Sequence, residues 1–115
     1  VYNLLRREAE AEFLPAAQAA HVGVIAREPL ANGFLAGGYT TDSVWGRGDI
    51  RARMPRPYVA QMAGLGARVR ELAQQAGLTA AQLALKFVLD NAAVSVVIVG
   101  MKTVAQVEEN FTVER

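Results

Sequence analysis

Two short apolar runs, Val22–Ala26 (VGVIA) and Val94–Gly100 (VSVVIVG), constrain this chain more than any other feature. Each has strand length and lacks the polar alternation of a half-exposed strand, so each reads as a strand buried on both faces. Helical patterns surround them. Pro15 suits the first turn of a helix running through Ala20, because its missing N–H is not needed there. From Tyr58 to Gln75, apolar residues at Met62, Leu65, Val69 and Leu72, continued by Ala76, recur at steps of three and four, and Gly77 offers a stop. Thr79 and Gln82 have the spacing of a capping box. The helix they open, AAQLALKFVL, points Leu83, Phe87 and Leu89 inward and ends near Asp90. Thr103 and Gln106 repeat the box after the second apolar run. Val1–Leu5 is either the tail of a strand or the turn leaving it. This alternation predicts an α/β fold with parallel strands and crossover helices.

Two strands and a stub cannot close a parallel sheet, and open edges invite association. The chain opens on VYNLL without a cap and closes on NFTVER inside a helical pattern, so the expectation is that both ends are cuts. At 115 residues the length suits one small domain. A net charge of +1 gives no electrostatic footprint for nucleic acid or an anionic membrane. With no cysteine and a single histidine, His21, thiolate and histidine-rich metal sites are excluded. No apolar run approaches the roughly 20 residues of a membrane span, and the opening residues do not read as a signal peptide. A cytoplasmic location is the default expectation.

Between the first apolar run and the Tyr58 helix no periodicity emerges. Arg27–Pro57 reads as one long loop, rich in glycine and proline, with room for a short helical piece; such loops are usually functional or disordered. It begins REPLANGFLAGGY, which reads either as a flexible surface turn or as a backbone cradle. Glycines such as Gly33 and Gly37 allow the close backbone approach a cradle needs.

The blocks GVIAREPLANGFLAGGY and VIVGMKTVAQVEEN closely resemble the C-terminal part of the aldo-keto reductase superfamily. Its members are (β/α)8 TIM barrels that reduce carbonyl groups with NADPH. The resemblance spans residues 1–115 and implies a partial barrel of C-terminal βα units only, strand six to helix eight. It implies that Glu28, Pro29, Leu30, Ala31, Asn32 and Gly33 line the cofactor pyrophosphate, at the strand ends where barrels bind ligands. Arg51, in GDIRARMP, resembles an arginine of the same loop that covers the cofactor. Gly100, Met101, Lys102 and Thr103 lead into the last helix, whose N–H groups and positive end suit a phosphate. Lys102 stands where the family places a basic residue near the adenosine 2′-phosphate. Gln106, Glu109 and Asn110 match positions that hold the adenine.

Departures accompany the match. Arg27 replaces an aromatic residue that stacks on the nicotinamide, and Gly38 replaces a lysine before Tyr39. The family's catalytic tyrosine, aspartate, lysine and histidine belong to earlier barrel strands, so no catalytic residue is assigned here. Tyr2 and Asn3 match the end of strand six, with Tyr2 near the nicotinamide; Tyr39 and Tyr58 match no catalytic position.

The implied function is the cofactor-binding part of an NADP-dependent reductase, with NADP(H) and a small carbonyl substrate as partners in the complete barrel. The 115 residues alone are expected to show no turnover. The alternative is a naturally truncated, non-catalytic half-barrel acting as a binding or scaffold module, paired with itself or with a complementing N-terminal half. Plainer readings stand beside these assignments. Lys102 is otherwise a solvated lysine, Gln106 a capping partner, and Glu109 with Asn110 a polar helix face. His21 suits a helix end. GLGARVR imitates a dinucleotide fingerprint inside a helical pattern, and RGD at Arg47–Asp49 is a coincidence.

Overall fold

A computed structural model describes residues 1–115 throughout. Helix α1 (Phe13–Ala19) precedes strand β1 (Val24–Arg27). A long connection then carries two 3-10 turns, Ala31–Gly33 and Ile50–Arg53, before helices α2 (Arg56–Gln75) and α3 (Ala80–Leu89). Strand β2 (Val94–Ile98) and helix α4 (Val104–Phe111) close the order. No helix is long and apolar enough to cross a membrane.

The strands pair in parallel, and the α2–α3 crossover makes that pairing possible. Val24 pairs with Val94, but Ile25 pairs with Val96, so the register slips by one at Ser95. The Ser95 hydroxyl fills the gap by accepting the Val24 N–H at 3.1 Å. Val1–Leu5 is a turn rather than a strand: Asn3 and Arg6 form an antiparallel bridge. Tyr2 nevertheless donates its N–H to the Arg27 carbonyl at 3.3 Å, which lays the segment beside the end of β1.

Burial on both strand faces is not what the structure shows. Helices cover one face only, where Val24, Ala26 and Val94 pack with Leu14, Ala17 and Val88. On the other face Ile25, Val96 and Ile98 remain 65, 48 and 54 % exposed. A second core lies between α2, α3 and the long connection, built on Phe34, Leu35, Val59, Met62 and Ala84.

The helix faces are turned slightly from the expected ones. In α2 the buried stripe runs through Val59, Met62, Ala63, Gly66, Val69 and Ala73, while Leu65 and Leu72 face solvent. Small residues at Ala63 and Gly66 let the helix approach the connection, which selects this stripe over the bulkier one. In α3 the buried positions are Ala80, Ala81, Ala84, Leu85 and Val88; Leu83, Phe87 and Leu89 are half-buried. Both bonds of the Thr79–Gln82 capping box form, and Gly77 ends the preceding helix at φ +70°.

Candidate functional site

The connection after β1 and the turn after β2 leave the same end of the sheet and face one another across an open cleft of about 780 Å3. Glu28, Pro29, Leu30, Asn32 and Gly33 form one wall. Gly100, Met101 and Lys102 form the other, continued by Gln106, Glu109 and Asn110 of α4. Arg51 reaches the first wall from the second 3-10 turn. Of the residues that the sequence assigned to a cofactor site, the structure brings all to this cleft except Ala31 and Thr103. Ala31 is buried beneath the loop at 3 % exposure, packed with Phe34 and Leu35. Thr103 is the N-cap of α4, where its hydroxyl accepts the Gln106 N–H at 3.2 Å.

The first wall has an unusual backbone. Glu28, Ala31, Asn32 and Gly33 all have left-handed φ, at 57, 47, 57 and 88°. For residues with a Cβ this conformation costs on the order of 1–2 kcal/mol each, so the surroundings must hold it in place. Three contacts do so. The Asn3 amide, wholly buried, donates to the Glu28 carbonyl at 2.8 Å. The Ala31 methyl is fixed in the core. Arg51 donates through Nη1 to the Asn32 carbonyl at 3.2 Å. The N–H groups of Leu30 and Asn32 make no hydrogen bond within the chain.

The second wall is the start of α4. The second capping box is altered by one residue: the Gln106 side-chain oxygen accepts the N–H of Lys102, at 2.6 Å, instead of that of Thr103. The extended backbone of Thr103 (φ −132°, ψ 157°) turns the chain here, and the glutamine ties down the residue before it. The first N–H groups of α4 and the Lys102 ammonium therefore share one corner with the positive end of the helix.

Asp49 and Arg51 form a two-pronged ion pair, with Nε to Oδ1 at 2.9 Å and Nη2 to Oδ2 at 2.7 Å. The arginine side chain holds the Asp49 carboxyl down at about 2, helped by the Arg51 N–H and by the positive charge of Lys102, against the opposing effect of burial. Tyr39, Trp45 and Phe34 pack edge-on against one another, with ring centres 5.1 to 6.0 Å apart, and the arginine lies over the first two. Sequence reasoning missed Tyr39, Asp49 and Ile50, which also line the cleft. The one available signal was Asp49 two residues before Arg51, a spacing that lets the carboxylate accept the Arg51 N–H as well.

Tyr2 does not reach the cleft. Its ring lies 5.5 Å from that of Phe87, and its hydroxyl donates to Glu10 at 2.8 Å while accepting from Asn91 at 3.3 Å. Burial, foremost, and the bond to Glu10 push that phenol up. Arg27 is exposed and paired with Glu28 at 3.0 Å.

The cleft lies at the carboxyl end of parallel strands, where α/β folds bind their ligands. The chain belongs to the aldo/keto reductase family, whose pattern it matches over residues 1–115. It is 34 % identical over 110 residues to the uncharacterized oxidoreductase YrpG of Bacillus subtilis strain 168, covering 96 % of this chain and 32 % of that protein. Against the L-glyceraldehyde 3-phosphate reductase of Escherichia coli O157:H7 it is 37 % identical over 116 residues, covering 95 % of this chain and 34 % of the enzyme. The structure superimposes on the glycerol dehydrogenase AKR11B4 from Gluconobacter oxydans with a TM-score of 0.81 and 26 % identity, covering 96 % of this chain and 35 % of that one. The chain therefore spans about a third of the length of the relatives it matches.

Proposed function

We propose that the chain forms the C-terminal βα units of a (β/α)8 barrel, and that its cleft holds the NADP(H) of an oxidoreductase acting on a small carbonyl compound. The observation that carries this reading is the convergence of the Glu28–Gly33 wall with the Gly100–Asn110 wall, two segments far apart in sequence. The residues fit such a ligand. Leu30 and Asn32 offer free backbone N–H donors beside a glycine, as a pyrophosphate requires. Lys102 and the first turn of α4 offer a cation and N–H groups to a 2′-phosphate. Gln106, Glu109 and Asn110 bring amides and a carboxylate to the adenine side.

Bound NADPH supplies a hydride for transfer to a carbonyl carbon. This chain's residues bind and orient it, and the general acid is left to earlier barrel strands of the complete protein. The Tyr39 hydroxyl accepts from Arg51, the Tyr2 hydroxyl donates to Glu10 and accepts from Asn91 away from the cleft, and His21 lies outside the cleft. A general acid is needed to protonate the carbonyl oxygen as hydride arrives. An NADPH oxidation assay on the purified 115-residue chain with simple aldehydes should show no turnover. Sustained NADPH-dependent reduction would overturn the division of labour proposed here.

A second reading, a non-catalytic half-barrel acting as a scaffold, is favoured by one observation: the uncovered apolar sheet face of Ile25, Val96 and Ile98. Such a face seeks a second copy or a complementing half. Light scattering distinguishes the cases, since a scaffold forms a particle of defined size in the absence of any cofactor.

A further inference from the structure

The hydrogen bonds of Arg51 assign it a task other than gripping an anion. Its Nε and one Nη2 proton go to the two Asp49 oxygens. Both Nη1 protons are used as well, one on the Asn32 carbonyl and one on the Tyr39 hydroxyl. Only a single N–H, on Nη2, remains for anything entering the cleft. The guanidinium carbon also lies 5.0 Å from the centre of the Tyr39 ring and 5.4 Å from that of Trp45. These partners come from three separate places: the left-handed turn at Asn32, the strap that runs from Tyr39 through Trp45, and the 3-10 turn begun by Asp49.

We propose that Arg51 is a positioning residue, a clasp that locks the strap of residues 39–51 onto the strained Asn32 carbonyl and so holds the first wall of the cleft in shape, with Asp49 as its fixed counter-charge. The inference rests on the proposed dinucleotide site for its consequence, but not for its geometry. A carboxylate occupying the arginine fork has two opposite implications. Were Arg51 an anion ligand, Asp49 would be a competitor, and its removal would free the fork. As a clasp, Arg51 depends on Asp49, whose removal lets the guanidinium drift from Asn32 and the left-handed turn relax. The tight space at Gly33 agrees with a locked arrangement: a Cβ there would lie 3.0 Å from Arg51 Nη1 and 3.2 Å from the Tyr39 ring.

Amide hydrogen exchange on the 115-residue chain tests this without cofactor. Ala52 and Met54 donate to Asp49 and Arg51 carbonyls, and Gly37 to Gly33, so their amides report the strap and the wall. Asp49→Asn and Arg51→Lys should each speed exchange at these amides about tenfold, as loss of a charge-assisted fork implies. The α3 amide of Asp90, bonded to the Lys86 carbonyl, should be unchanged. Arg51→Lys keeps the charge but not the fork, so it should not restore protection. NADPH binding should weaken in both variants. Should Asp49→Asn speed exchange throughout the chain, Tyr39→Phe, which removes one acceptor only, should still give a smaller acceleration confined to the strap and wall. Unchanged protection in Tyr39→Phe and Arg51→Lys, or tighter NADPH binding by Asp49→Asn, would overturn the clasp. If the unaltered chain binds no NADPH, the dinucleotide reading fails while the exchange rates still decide on the clasp.

Discussion

Gly66 brings the backbone of α2 against the Phe34 carbonyl so closely that a Cβ at position 66 would lie 2.1 Å from that oxygen. Both partners are backbone, so no side-chain rotation relieves the contact. This approach seats α2 beneath the connection that forms the first wall, with Phe34 at 1 % and Leu35 at 0 % exposure between them.

Gly66→Ala should therefore destabilise the chain, although alanine is the better helix former by about 1 kcal/mol. Overpacking of this kind costs about 3 kcal/mol or more, leaving a net loss of about 2 kcal/mol. Urea unfolding followed by circular dichroism measures it. A raised midpoint would mean that α2 does not abut the Phe34 carbonyl.

The Asp49–Arg51 pair sets a pH dependence with a definite sign. The carboxyl titrates at 3.8 when unperturbed and is lowered to about 2 in the fold. Its contribution is thus fully present above the unfolded value and is lost as pH falls from there through the folded one. Trp45 is the one tryptophan of the chain and lies in the strap, so acrylamide quenching of its fluorescence reads the loss. Quenching should rise between about pH 5 and about pH 2, and Asp49→Asn should flatten that rise. An identical profile in the variant would assign the change to other groups. Glu10, lowered by Arg7 and then by Tyr2, is a carboxylate that acts at the α1 side instead.

Lys102 is exposed and lies beside the first turn of α4, and the proposed function assigns it to a 2′-phosphate. Lys102→Ala should weaken NADPH binding about tenfold, the loss of one charge-assisted contact, and leave NADH binding as it was. Equal losses for the two coenzymes, measured by titration calorimetry, would place the lysine elsewhere than on the phosphate.

Much of the cleft lining was legible because its parts are local. The run Glu28–Gly33 and the segment Gly100–Asn110 each carry their chemistry within a few residues, and a strand before each fixes where they emerge. The two N-caps at Thr79 and Thr103 were readable for the same reason. What escaped was set by tertiary contact. Burial of both strand faces was expected because Val22–Ala26 and Val94–Gly100 are continuously apolar, yet helices cover one face and leave Ile25 and Ile98 exposed. The buried stripe of α2 follows Ala63 and Gly66 because the connection presses against them, which no periodicity of large residues encodes. Asn3 also escaped: a polar residue in an apolar stub turns out wholly buried, holding the Glu28 carbonyl across 25 residues of sequence. Ala31 looked like part of the cradle and is instead the anchor beneath it.

Nitrogen-15 amide spectra of the chain titrated with NADPH decide whether two distant segments form one dinucleotide site. Shifts should group at residues 28–33 and 100–110, with Lys102 and Thr103 responding less to NADH. Shifts confined to one segment, or none in either while α2 and α3 amides show a folded chain, would contradict it.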